Sequence, residues 1–93
     1  MKIIEVQFDG HVRMPESQRV TNVMRTTKDV SVGGTVMVDK LELTTHGIQV
    51  EKTIERENKL ITFRKLYAWN CINEVTYEPE SVSMQPAKVA AVK

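Results

Sequence analysis

This chain is short of almost everything that carries chemistry. In 93 residues it has Cys 1, His 2, Pro 3 and Gly 4, and its rings are Phe 2, Tyr 2 and Trp 1. A lone cysteine forms no internal disulfide, whereas a small secreted domain normally uses several. A reducing compartment is therefore expected. No run approaches the ~20 apolar residues of a membrane-spanning helix. Met1 leads straight into Lys2-Ile3-Ile4-Glu5, with no apolar stretch of signal-peptide type. The expected location is the cytoplasm, with no membrane partner. An excess of charge of one sign is missing too: Lys and Arg number 13 against 12 Asp and Glu. Residues 81–93 hold Lys88 and Lys93 and no acid, so residues 1–80 carry one more acid than base. A domain that grips a phosphate backbone shows a clear positive excess. That disfavours nucleic acid as the partner.

What is present suffices for one core. The length is that of one domain, and such a chain buries roughly 60–65% of its unfolded surface. The apolar fraction of 41% is far above that of a disordered chain. Lys2–Phe8 alternates, with Ile4, Val6 and Phe8 on one face. Asp9-Gly10 then reads as a hairpin turn, because a type I′ turn takes positive φ at both central residues. His11–Met14 would return, and Pro15 would end the strand. Residues 16–28 fit either state. Val20, Val23 and Met24 share a helical face with Ser17 as a cap, but Thr21, Thr26 and Thr27 favour extended chain, and strand is preferred.

Further along, Val30–Val32, Gly33-Gly34 and Val36–Val38 read as a second hairpin. The phase then slips between Val36/Val38 and Leu41/Leu43, which predicts a bulge or sharp bend at Asp39-Lys40. Thr44–Gly47 is the third turn, and Ile48 and Val50 resume the alternation. Glu55–Asn58 is a charged turn. Leu60–Arg64, an aromatic turn around Tyr67-Ala68-Trp69-Asn70, and Glu74–Tyr77 complete the pattern. Ser81–Lys93 reads as a flexible tail. Short strands at this spacing predict an all-β fold: a small antiparallel, strongly bent β-barrel or a small sandwich over residues 1–80, with the tail at 81–93.

The chemistry-bearing residues are scattered. His11 and His46 sit beside turn glycines and converge with no other ligand in the sequence, so no metal or cofactor is expected. Cys71 has no neighbouring base and reads as a small buried hydrophobe. Glu51, Glu55 and Glu57 alternate with Lys52, Arg56 and Lys59 as on a solvated face, and Glu74, Glu78 and Glu80 are spread out. Gly33-Gly34 lacks the flanking pattern of a phosphate loop. Nothing pairs a nucleophile with a base, so the chain is not expected to be an enzyme. The exception to this scatter is Arg64, Lys65, Tyr67 and Trp69, where cations interleave with rings. Such a set reads as plugs for the end of the fold with the cations in water, as a protein hot spot, or as a platform for single-stranded nucleic acid.

Leu41–Tyr77, with hairpins around Gly47 and Glu57 and the turn Tyr67-Ala68-Trp69 before Val75-Thr76-Tyr77, resembles small β-barrels of the SH3/Sm-like group. It lacks the RNA-binding loop signatures of the Sm proteins. The spacing Trp69-x-x-Ile72-x-x-Val75 is also similar to that of short phage-encoded proteins ending in Tyr-Pro-Trp-x-x-Ile-x-x-Val, with Ala68 where those have proline. That resemblance implies an accessory role through binding a host protein. The leading expectation is thus a non-enzymatic phage or mobile-element accessory protein that binds a host protein or itself, anchored by Arg64, Lys65, Tyr67 and Trp69. A nucleic-acid-binding SH3/Sm-like module is the alternative, and a protein that sequesters a small ligand is the third class.

Overall fold

The computed structural model describes residues 2–27 and 35–80. The described chain is all-β, with strands in two sheets and no α-helix. In chain order the strands are β1 (Ile3–Arg13), β2 (Val20–Arg25), β3 (Thr35–Met37), β4 (Lys40–Leu43), β5 (Gly47–Arg56), β6 (Lys59–Ala68) and β7 (Ile72–Tyr77). The first sheet has the order β3-β2-β1-β7 and the second β4-β5-β6. The hairpin turn expected at Gly33-Gly34 and the tail expected at Ser81–Lys93 lie outside the described residues.

Asp9-Gly10 is not a turn. It lies inside β1, which runs unbroken for 11 residues. The register against β2 jumps from Gln7↔Val23 to Val12↔Thr21, so Phe8–His11 bulge out opposite Asn22. Gly10, at φ 95, supplies the positive φ. A bulge needs the same backbone freedom as a primed turn, so the dipeptide signal serves both. The rest of β1 explains the outcome. Ile3, Val6 and Phe8 are buried in the core cluster, and β1 is flanked by β2 on one side and β7 on the other. The reversal comes later, at Pro15–Gln18, where the Met14 N–H donates to the Arg19 carbonyl at 2.8 Å.

Residues 20–25 are strand, as Thr21 and the two valines suggest. The pairing of β2 with β3 is parallel, in the register Val23↔Thr35 to Arg25↔Met37. This corrects the expectation of a wholly antiparallel fold. The phase slip at Asp39-Lys40 marks a corner at which the chain leaves the first sheet for the second. Asp39 fastens that corner. Its N–H donates to the Glu51 carbonyl at 2.9 Å, and its carboxylate accepts from the Thr53 N–H. The ammonium of Lys52 adds a bond to the Met37 carbonyl at 2.6 Å.

The core draws on both sheets: Ile3, Val6, Phe8 and Met24 from the first, Leu41, Ile48, Val50 and Tyr67 from the second. One ion pair sits at its margin. Arg25 Nε lies 3.2 Å from a Glu5 carboxylate oxygen across the β1–β2 ladder, and both side chains are largely covered. Removing one member of such a pair strands the other charge away from water. Glu5→Ala is expected to cost about 2 kcal/mol, and the double variant Glu5→Ala/Arg25→Met to recover most of it. Urea unfolding of the three proteins checks this, and a loss under about 0.5 kcal/mol for the single variant would contradict it.

Candidate interaction surface

The β5–β6 hairpin is the longest regular feature of the second sheet. Its register runs from Gly47↔Ala68 to Arg56↔Lys59 without a slip. Glu57 and Asn58 turn it, at φ 53 and 63. Positive φ at both central residues is the type I′ geometry that matches strand twist. On β4, by contrast, the ladder spans only Lys40↔Glu51 to Leu43↔Ile48.

The register sorts side chains onto two faces, since neighbours along a strand alternate. Ile48, Val50, Lys52 and Ile54 share the core-side face with Tyr67, Lys65, Phe63 and Ile61. Ile48, Val50 and Tyr67 are buried, while Phe63, Ile54 and Ile61 are half-buried. The opposite face carries Gln49, Glu51, Thr53 and Glu55 beside Leu66, Arg64, Thr62 and Leu60. Leu60 is 78% exposed and Leu66 47%.

The four residues singled out in the sequence do not form one surface. Arg64 lies on the outer face, where its Nε donates to a Glu51 carboxylate oxygen at 3.0 Å. Lys65 is on the core-side face, with its ammonium 5.4 Å from the centre of the Tyr67 ring, at cation–π range. Tyr67 was expected as a surface anchor. It is a core residue, 4% exposed. Its ring meets Phe8 at 4.9 Å between centroids, tilted by 55°, and its hydroxyl donates to the Arg13 carbonyl. Burial pushes its phenol well above the ordinary tyrosine range, and the nearby Glu16 charge adds to that. Trp69 opens a single 3₁₀ turn, Trp69–Cys71, that carries the chain back to the first sheet. The residue is 42% exposed, and its Nε1–H donates to the Thr45 carbonyl at 3.1 Å. The ring is thus held in place at a surface position.

Leu60 and Leu66 were not singled out in the sequence. Their shared parity with Arg64 was a usable signal, because it places them opposite buried Tyr67. Cys71 is half-buried against the core, and His11 and His46 are exposed. No cluster of His, Cys, Asp and Glu with metal-holding geometry occurs among the described residues. An open groove of about 230 Å³ lies between Lys2-Ile3 and Lys40–Leu43. No helix among the described residues is long and apolar enough to cross a membrane.

No family model, curated protein or solved structure matches this chain.

Proposed function

We propose that this chain is a non-enzymatic interaction protein that binds another protein through the β6 side of its second sheet and the adjoining turn. The observation that supports this is the run of exposed apolar side chains Leu60, Leu66 and Trp69 along one continuous segment. An exposed indole held by its own N–H is pre-ordered, so little side-chain freedom is lost when it is covered. Trp69 and Leu66 would be the apolar anchors, with Arg64, on the same face of β6 as Leu66, at the polar rim. Tyr67 supports them from inside.

The finer architecture belongs to the same proposal. The sheets are read as the halves of a small, strongly bent barrel of SH3/Sm-like type, or of a small sandwich. Support comes from the two places where the chain passes between sheets, Val38-Asp39 and Trp69–Cys71, and from the Phe8–Tyr67 contact across them. The spacing Trp69-x-x-Ile72-x-x-Val75 supports a phage-type accessory role, and the lone cysteine a reducing setting such as the cytoplasm. The nucleic-acid alternative draws less support, because Arg64 is already paired with Glu51.

The test is capture from a bacterial lysate by the tagged chain, with and without nuclease, read by mass spectrometry beside the Trp69→Ala variant. One protein held in both conditions, and reduced at least tenfold by Trp69→Ala with unchanged far-ultraviolet circular dichroism, is the expected result. Capture that vanishes with nuclease would transfer the assignment to nucleic acid.

A further inference from the structure

The outer edge of β6 is unpaired among the described residues, and its sequence is complementary to itself. In the second sheet β5 is central, so β6 pairs on one side only. Its other side meets no strand among the described residues. The direction of its free backbone groups follows from β5. The Thr53 N–H and the Glu51 C=O both point toward β4, where Asp39 engages them. Backbone groups alternate in direction along a strand. The Lys52 and Ile54 groups therefore point at β6 and bond Phe63 and Ile61, their register partners. It follows that Leu60, Thr62, Arg64 and Leu66 aim their N–H and C=O groups outward, with no partner strand among the described residues. An exposed ladder edge of this length is a template for another strand.

The occupant is indicated by the order of side chains. Leu60-Ile61-Thr62-Phe63-Arg64-Lys65-Leu66 has its leucines at equal distances from Phe63. Laid antiparallel on a second copy of itself, with the two-fold axis at Phe63, each Leu60 stands opposite Leu66 of the other copy. Both leucines are exposed in the single chain. Phe63 meets Phe63 on the core-side face, Thr62 meets Arg64, and Ile61 meets Lys65. No like charges face each other. Moving the axis to Thr62 sets Lys59 against Lys65, and moving it to Arg64 sets Arg64 against itself, and each costs stability. The outward-pointing residues also fall on the hydrogen-bonded positions of this register, so the two copies exchange roughly eight backbone bonds. A closed two-fold pairing of this kind uses the same patch on both subunits and leaves no free edge there.

We propose that β6 pairs with β6 of a second copy, antiparallel and centred on Phe63, to give a continuous six-stranded sheet across a two-fold axis. This rests on the reading of the chain as an interaction protein and names a second copy as the partner at this edge.

Sedimentation velocity of the full chain over a range from about 1 to 100 μM should give a dimer. Thr62→Pro removes one outward N–H that the protomer does not use, and Leu66→Lys places a charge against the opposing Leu60. Each is expected to weaken dimerisation at least tenfold, whereas Val20→Lys, at an exposed position on the other sheet, should leave it unchanged. Thr62→Pro also removes the hydroxyl contact with Thr53 at 2.9 Å, so Leu66→Lys serves as the readout should the proline variant fail to fold. The register has its own check. In a Cys71→Ser background, Phe63→Cys places two thiols on the axis at a non-hydrogen-bonded pair, about 4.5 Å between Cα atoms, within disulfide reach. Oxidation should yield a covalent dimer, and Leu60→Cys should not. A monomer at 100 μM overturns the proposal. So does a dimer that survives Leu66→Lys and fails to cross-link through Phe63→Cys. A monomer that still captures a lysate protein in a Trp69-dependent manner overturns only the self-pairing and leaves the wider functional reading standing.

Discussion

Tyr67→Ala is expected to cost about 4 kcal/mol, within the range for removing a large buried aromatic side chain. Three losses combine. The ring leaves its contact with Phe8, the hydroxyl no longer donates to the Arg13 carbonyl, and Lys65 loses the face over which its ammonium sits. Phe8 and Arg13 belong to the first sheet and Tyr67 to the second, so the variant loosens the joint between them. Chemical unfolding followed by Trp69 fluorescence measures it, and a cost under about 1.5 kcal/mol would mean that the joint lies elsewhere.

The same residue sets a pH dependence. A tyrosine whose phenol is raised in the folded state stays neutral while the unfolded chain ionises. Its contribution is fully present below the ordinary tyrosine value, about 10, and is lost as pH climbs above it. Tyr67→Phe should therefore flatten the alkaline limb of the stability curve above pH ~10, at a price of about 1 kcal/mol at neutral pH for the lost hydrogen bond. An unchanged alkaline limb would count against burial as the cause.

Gly47→Ala is expected to cost about 3 kcal/mol, at the upper end for overpacking. A Cβ at Gly47 would stand 1.9 Å from the Tyr67 carbonyl oxygen and 2.9 Å from the Ala68 Cα. These are backbone atoms of the paired strand, so no rotamer change relieves the clash. Gly10→Ala provides the contrast. Nothing lies within 4 Å of its Cβ position, and only the φ of 95 opposes the substitution. The expected cost there is about 1 kcal/mol. Equal effects at the two glycines would show that the β5–β6 approach at Gly47 is slack.

The strands were legible wherever alternation decided the matter. Val6 and Phe8, and likewise Ile48 and Val50, join the core because a strand with one apolar side has only one way to bury it, whereas at the start of β1 a register irregularity between Ile3 and Glu5 gives the core Ile3 in place of Ile4. Asp9-Gly10 misled because a turn and a bulge ask the same thing of the backbone, and only the distant strand β7 settles which is used. The parallel β2–β3 pair was hidden for a related reason, since residue patterns reveal faces and not neighbours. At the surface, interleaved rings and cations drew attention to Tyr67, whereas its parity with Ile48 across the ladder sends it inward. For Leu60 and Leu66, parity with Arg64 marks the outer face, but the lack of a partner beyond β6 among the described residues is visible only in the sheet order.

The placement of β7 beside β1 joins the two ends of the described chain, in a ladder running from Ile3↔Tyr77 to Phe8↔Ile72. Closing such a loop forfeits chain entropy before any contact repays it, and folds built on distant pairings form in milliseconds to seconds. During synthesis, one flank of β1 must wait until Tyr77 has emerged from the ribosome, while the β5–β6 hairpin can form from local contacts much sooner. A nascent chain halted before Ile72 would leave open the flank of β1 beside Val6 and Phe8 that β7 covers in the finished chain, a place where another strand can add.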